Sequence, residues 1–182
     1  ILWDPIALFR KNDDSSSFKN INIPDTESID SVKYKGKWFN FIKRYKWLKA
    51  YKLTLKELNQ AVEGLYHNLN TLQSRSGNQL PFTSINYGTC TSPEGRMVIR
   101  ALLNGCINGV GSHHKTAVFP CGIFQYMKGV NDVKGTPNYD LKKLAIKSTT
   151  LRLYPNYANV DWSGNAGYDV NDPRTYFSTM GC

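Results

Sequence analysis

The stretch LPFTSINYGTCTSPEGRMVIRALLNG, residues 80–105, decides the fold. Its opening LPFTSINYG is rich in β-formers on an extended pattern begun by Pro81. Ser92-Pro93-Glu94 then supplies an N-cap, a proline at the first helical position and an acid in the first turn. That sequence predicts a strand handing over to a helix that runs to about Asn104-Gly105. The same unit recurs on both sides.

Upstream, Thr54 with Glu57 three residues later forms a capping box, so a helix is expected to start there. Leu58, Val62, Leu65, Leu69 and Leu72 follow at helical spacing, and Ser74-Arg75-Ser76-Gly77-Asn78 stops the helix. Downstream, TAVFPCGIFQY (Thr116 to Tyr126) reads as a strand broken by Pro120. Asn138 is expected to cap a third helix, with Leu141, Leu144, Ala145, Ser148 and Leu151 on one face. Pro155 ends it, and Tyr157 to Val160 is a short third strand. Strands alternating with helices indicate an α/β fold with a parallel sheet whose strands are buried on both faces. The Gly- and Asn/Asp-rich loop from Asp161 to Tyr176 is long enough to be functional or disordered.

A chain of 182 residues with 41% apolar content can bury one sizeable core and is long for two. No stretch approaches the roughly 20 apolar residues of a membrane helix. The N-terminus has no signal-peptide pattern and no Met, so an interior piece of a soluble protein is expected. Cys90, Cys106, Cys121 and Cys182 contain no Cys-x-x-Cys pair, which argues against a self-contained zinc site, and no metal ligand set is assigned. Disulfides are not expected without a secretion signal. There is no Gly-x-Gly-x-x-Gly after a strand and no Walker loop. His113-His114 lies in a Gly/Ser-rich loop and reads as solvent-exposed.

The formal charge is +9, and much of it is concentrated between Lys33 and Lys56 among Tyr34, Trp38, Phe41, Tyr45, Trp47 and Tyr51. Basic residues interleaved with rings suit a nucleic-acid surface. Trp38, Phe41, Tyr45 and Leu48, however, fall at the spacing of one helix face. An amphipathic helix with solvated lysines accounts for them without a ligand, so nucleic acid is not the expected partner.

Five phrases occur in order: HNLNTLQSRSGNQLPFTSINYGT (His67 to Thr89), TAVFPCGIFQYMKGVN (Thr116 to Asn131), GTPNYDLKKLAIKS (Gly135 to Ser148), YPN (Tyr154 to Asn156) and STMGC (Ser178 to Cys182). In combination they resemble the class III, anaerobic ribonucleoside-triphosphate reductases, which are glycyl-radical enzymes. The resemblance covers roughly residues 54–182 and divides the chain into a variable helical or loop segment, 1–53, and a partial reductase barrel, 54–182. It implies that these strand–helix units belong to a ten-stranded α/β barrel with a central finger loop.

It also implies that Cys182, in the MGC phrase on that loop, becomes the thiyl radical that takes the 3′ hydrogen of a ribose. Such a transfer needs reacting atoms about 3–3.5 Å apart, and Gly181 gives the turn unusual backbone freedom. Without the preceding phrases, Cys182 would read as an ordinary thiol. Ser74 to Gln79 resembles the loop between effector site and substrate base, where Arg75, Ser76, Asn78 and Gln79 offer hydrogen bonds; a plain helix C-cap fits the same residues. Ser84 and Asn86 share one side of their strand and could line the substrate cavity or simply satisfy backbone groups. Cys121 is read as a small packed thiol.

The implied activity is reduction of ribonucleoside triphosphates to deoxyribonucleoside triphosphates in the cytoplasm. Formate is the electron source, ATP and dNTPs are the effectors, a radical-SAM activase installs the glycyl radical, and the enzyme is a homodimer. The family's upstream active-site cysteine, C-terminal four-cysteine zinc site and radical-bearing glycine have no counterpart in these residues. No cofactor is therefore placed within the chain. A nucleic-acid-binding module and a non-catalytic truncated remnant are the alternatives. The 182-residue chain, supplied with activase and formate, is expected to show no turnover in an assay of deoxyribonucleotide formation.

Overall fold

The computed structural model describes residues 38–72, 80–162, 169, 171–176 and 178–179, with side chains described from residue 47 onward apart from that of Pro173. The chain divides into two compact units, Ile1–Gln60 and Ala61–Cys182. The described elements are α1 (Trp38–Thr71), β1 (Ser84–Tyr87), α2 (Pro93–Asn108), β2 (Cys121–Tyr126), α3 (Tyr139–Arg152), β3 (Asn156–Asn159) and a 3-10 turn, Pro173–Thr175. The expected alternation of helix and strand is present. The three strands form a parallel sheet in the order β1-β2-β3, with Asn86 level with Ile123 and Ile123 level with Asn156.

Helix α1 corrects the expected start at Thr54. Neither glycine nor proline occurs between Trp38 and Thr54, so nothing interrupts the helix there, and Thr54 lies in its interior, where a capping box has no free amides to serve. The aromatic stretch is helical, as its spacing predicts. Trp47 and Tyr51 stack on each other at 5.2 Å, while Lys49, Lys52 and Lys56 are exposed. The burial of Trp38, Phe41 and Tyr45 lies outside the described side chains. Farther along, Val62 is buried and Leu72 is exposed, so the apolar face is shorter than its periodicity suggests.

Helix α2 begins as predicted, with the Ser92 hydroxyl accepting from the Gly95 amide. It continues past Gly105 to Asn108 and closes on Gly109 at φ 74°. Gly105 does not end the helix because its missing side chain makes room for α1: a Cβ there would lie 2.7 Å from Val62 and 3.1 Å from the Tyr66 ring. Tyr66 is buried and donates its hydroxyl to the Leu102 carbonyl at 3.2 Å.

The two faces of the sheet differ. Tyr87, Phe124 and Tyr157 lie on one, meeting edge to face at 6.2 and 6.0 Å. Phe124 is fully buried. Burial pushes the Tyr87 phenol up, with Tyr66 and Cys106 adding to the effect, which places this face toward α1 and α2. Ser84, Asn86, Ile123, Gln125 and Ala158 lie on the other face. Burial on both faces holds for β2 but not for the edge strands: most of β3 is exposed and three of the four residues of β1 are half-buried.

Helix α3 buries Leu141, Ala145 and Ser148, whereas Leu151 is exposed because the face turns away before the last turn. Its N-cap position is Asn138, as expected, yet the Asn138 side chain makes no capping bond. It is drawn instead into a buried network: its amide donates to the Gly88 and Cys90 carbonyls, each at 2.9 Å, and its oxygen accepts from Arg96. Arg96 also donates to the Pro137 carbonyl and reaches both oxygens of Asp140 at 3.0 and 3.1 Å, and Arg100 donates to the same carboxylate.

Two outcomes follow for stability. Burial alone would raise Asp140, but the hydrogen bonds and charges of Arg96 and Arg100 outweigh it and hold the carboxyl below its ordinary value of 3.8. The unfolded chain then takes up this proton more readily than the folded one, so the contribution is present above pH ~4 and lost as pH falls through the folded value. In acid titrations of urea unfolding, Asp140→Asn should remove this acid-side loss of stability while the wild type retains it. Gly105→Ala should destabilise by about 1–2 kcal/mol, since overpacking against Val62 and Tyr66 outweighs the helix preference of alanine over glycine. A shift of the urea midpoint at unchanged slope would measure it.

Candidate functional site at the carboxyl ends of the strands

In open parallel sheets the carboxyl ends of the strands are where ligands and functional loops gather, because the connecting segments leave a crevice there. Here that end carries three polar anchors. Gly88 follows β1 at φ 130°, with a missing Cβ that would lie 2.8 Å from the Gln125 carbonyl, so only glycine lets the two chains approach this closely. The Gly88 carbonyl accepts from Asn138 and from Asn131, whose amide also donates to the Gln125 carbonyl at 2.9 Å. The Asn131 oxygen accepts from the Met127 amide at 2.9 Å, and both asparagines are fully buried.

Above these anchors sits the segment that leads to the last residue. Asn86 donates from Nδ2 to the Thr179 carbonyl at 2.8 Å. Gln125 donates from Nε2 to the Ser178 hydroxyl at 3.4 Å, and Thr89 lies 3.5 Å from Gln125 Oε1. The Asn86 Oδ1 atom is buried and has no hydrogen-bond partner among the described residues. It lies on the face of β1 that carries Ser84.

A second asparagine clamp works at the opposite end of the sheet. Asn70 of α1 donates to the Phe119 carbonyl at 2.6 Å and accepts from the Val118 and Phe119 amides at 2.7 and 3.1 Å. It fixes the entry to β2 beside the cis Phe119–Pro120 bond.

Of the residues selected from sequence, Ser84 and Asn86 lie on one face of β1 as expected, and Asn86 meets the segment before Cys182. Arg75, Ser76, Asn78, Gln79 and Cys182 lie outside the described residues. Cys121 is buried, with Sγ 3.6 Å from the Tyr154 hydroxyl, as a packed thiol should be. His113 and His114 are exposed. Among the described residues no three His, Cys, Asp or Glu side chains converge as metal ligands, and no helix is long and apolar enough to cross a membrane. Gln125, Asn131 and Asn138 were missed as site residues. Gln125 carried a signal, being the one amide in the otherwise apolar or aromatic strand CGIFQY, where burial demands a partner. The asparagines had none beyond their residue type.

The sequence model of the family described as anaerobic ribonucleoside-triphosphate reductase matches residues 11–182. The anaerobic ribonucleoside-triphosphate reductase of Haemophilus influenzae is 42% identical over 106 residues, covering 58% of this chain and 15% of the relative. That of Escherichia coli is 41% identical over 108 residues, 59% of this chain and 15% of the relative. The enzyme of the same name from Enterobacteria phage T4 is 37% identical over 129 residues, 71% and 20% respectively. The chain thus spans about a seventh to a fifth of the length of these relatives. With a match over nearly its whole length, it belongs to the anaerobic ribonucleoside-triphosphate reductase family.

Proposed function

We propose that this chain forms part of a catalytic subunit that reduces ribonucleoside triphosphates to deoxyribonucleoside triphosphates by radical chemistry. The observation that supports it is the seating of Ser178 and Thr179, four and three residues before Cys182, on Asn86 and Gln125 at the carboxyl ends of parallel strands. A loop held there delivers its tip to the place where this architecture gathers ligands. On this reading residues 54–182 are an arc of a ten-stranded α/β barrel whose finger loop carries Cys182, and residues 1–53 are a variable segment before it.

The Cys182 sulfur, as a thiyl, takes the 3′ hydrogen of the bound ribose and becomes a thiol. The 2′ hydroxyl takes up a proton and leaves as water, formate with its proton is oxidised to carbon dioxide and supplies the two electrons and the hydrogen of the new bond at carbon 2′, and the thiol then returns its hydrogen to carbon 3′. Ser84 and Asn86 line the substrate side. Arg75, Ser76, Asn78 and Gln79 lie between substrate and an ATP or dNTP effector. A glycyl radical, installed by a radical-SAM activase, supplies the unpaired electron. The family's zinc belongs, on this reading, to a C-terminal four-cysteine site and not to Cys90, Cys106 or Cys121. The enzyme works as a cytoplasmic homodimer.

In the complete reductase, Cys182→Ser should lower kcat by roughly 10⁴-fold or more, the scale of removing a group that does the chemistry. Cys121→Ser and Cys90→Ser should leave it within about a factor of ten. Turnover retained in Cys182→Ser would refute the assignment.

A further inference from the structure

We infer that Asn86 and Gln125 are positioning residues that hold the cysteine-bearing segment on the sheet, with Asn86 acting through its amide hydrogens. The inference rests on the reductase reading above and extends it to residues that do not themselves react. Ser178 and Thr179 are polar residues, and hydrogen bonds tie them to the sheet. Two are present, from neighbouring strands: Asn86 Nδ2 to the Thr179 carbonyl at 2.8 Å and Gln125 Nε2 to the Ser178 hydroxyl at 3.4 Å.

Both donors stand on rigid supports. Asn86 is the third residue of β1, and its Cα is in register with Ile123. Gln125 belongs to the buried central strand, and its own carbonyl is held by Asn131. The Gly88 carbonyl, two residues past Asn86, is held by Asn131 and Asn138 together. The buried asparagines thus fix the ends of two strands, and those strands fix the segment. A sulfur that must come within about 3–3.5 Å of a ribose hydrogen tolerates little drift, and displacement by about 1 Å costs on the order of 10²-fold in rate.

The two contacts differ chemically in a way that makes them separable. A backbone carbonyl only accepts, whereas a serine hydroxyl both donates and accepts. Asn86→Asp keeps the shape of the side chain but turns the donor facing Thr179 into a second acceptor. Gln125→Glu also loses its donor, yet the Ser178 hydroxyl can turn to donate to the carboxylate. A purely space-filling role would not distinguish these isosteric changes.

The test uses the complete reductase, loaded with its glycyl radical and assayed with ribonucleoside triphosphate and formate, beside amide hydrogen exchange of the unloaded protein. In Asn86→Asp, kcat should fall by about 10²-fold with KM within about twofold. The amides of residues 178–182 should exchange at least about tenfold faster, with those of α2 unchanged. Gln125→Glu, whose carboxylate can still accept from the Ser178 hydroxyl, should show a smaller loss than Asn86→Asp in both readouts, with kcat falling by no more than about tenfold. Asn86→Ala, run alongside, removes the donor without adding charge and should match Asn86→Asp. Wild-type rates and exchange in both Asn86 variants would overturn the inference, as would equal losses in Asn86→Asp and Gln125→Glu. Faster exchange throughout α2 and β2 in both Asn86 variants would also overturn it, because the effect would then be global. If Cys182→Ser keeps its turnover, the reductase reading fails, and the exchange data still decide whether Asn86 holds the segment.

Discussion

The carbonyl oxygen of Gly88 accepts two buried side-chain amides, from Asn131 and Asn138, and most of the described architecture depends on that shared acceptor. Asn131 passes the constraint to the end of β2 through the Gln125 carbonyl. Asn138 passes it to α2 and α3 through Arg96, whose guanidinium also grips Asp140. A cluster of this kind works only when complete. In a low-dielectric interior each satisfied bond is strong, and each orphaned group costs about as much as several good contacts return. Its members are therefore locked in one arrangement, which an apolar core of similar size would specify less sharply.

That rigidity is divided between two faces of one thin sheet. The aromatic face of Tyr87, Phe124 and Tyr157 supplies area to bury and turns toward the helices. The opposite face carries Ser84, Asn86 and Gln125 beside Ile123 and Ala158, and two of its amides reach Ser178 and Thr179. The central strand serves both because alternate residues point to opposite sides, so Phe124 and Gln125 are neighbours in sequence with opposite tasks. The same economy explains why β2 is buried along almost its entire length while β3, at the edge, is largely exposed.

Much of this was legible in the residues. The order of elements, the cap at Ser92 and the parallel sheet follow from periodicity and turn chemistry, and Ser84 and Asn86 were placed on one side by alternation alone. Three features were not legible, each for a physical reason. Thr54 and Glu57 satisfy a capping pattern, but a pattern cannot say whether the preceding residues leave helical geometry, and here they continue it. Gly105 reads as a stop because a glycine's freedom is visible in sequence and the neighbour that needs its missing Cβ is not. Asn138 reads as a cap because local bonding is the default for asparagine, and its true partners lie 42 to 50 residues away. For the site, Cys182 was legible only through the phrases that precede it. Its spacing from the other cysteines set it apart from none of them.

The contact between Asn86 and Thr179 has a consequence for how this segment can vary. The acceptor is a main-chain oxygen, which every amino acid carries, so the identity of residue 179 is left open by the bond that holds it. The donor has no such latitude, since at position 86 a short side-chain amide must reach across from a strand. Drift over generations is thus channelled to one partner of the pair, and a reader of variants would find the record of this anchor in the strand rather than in the loop.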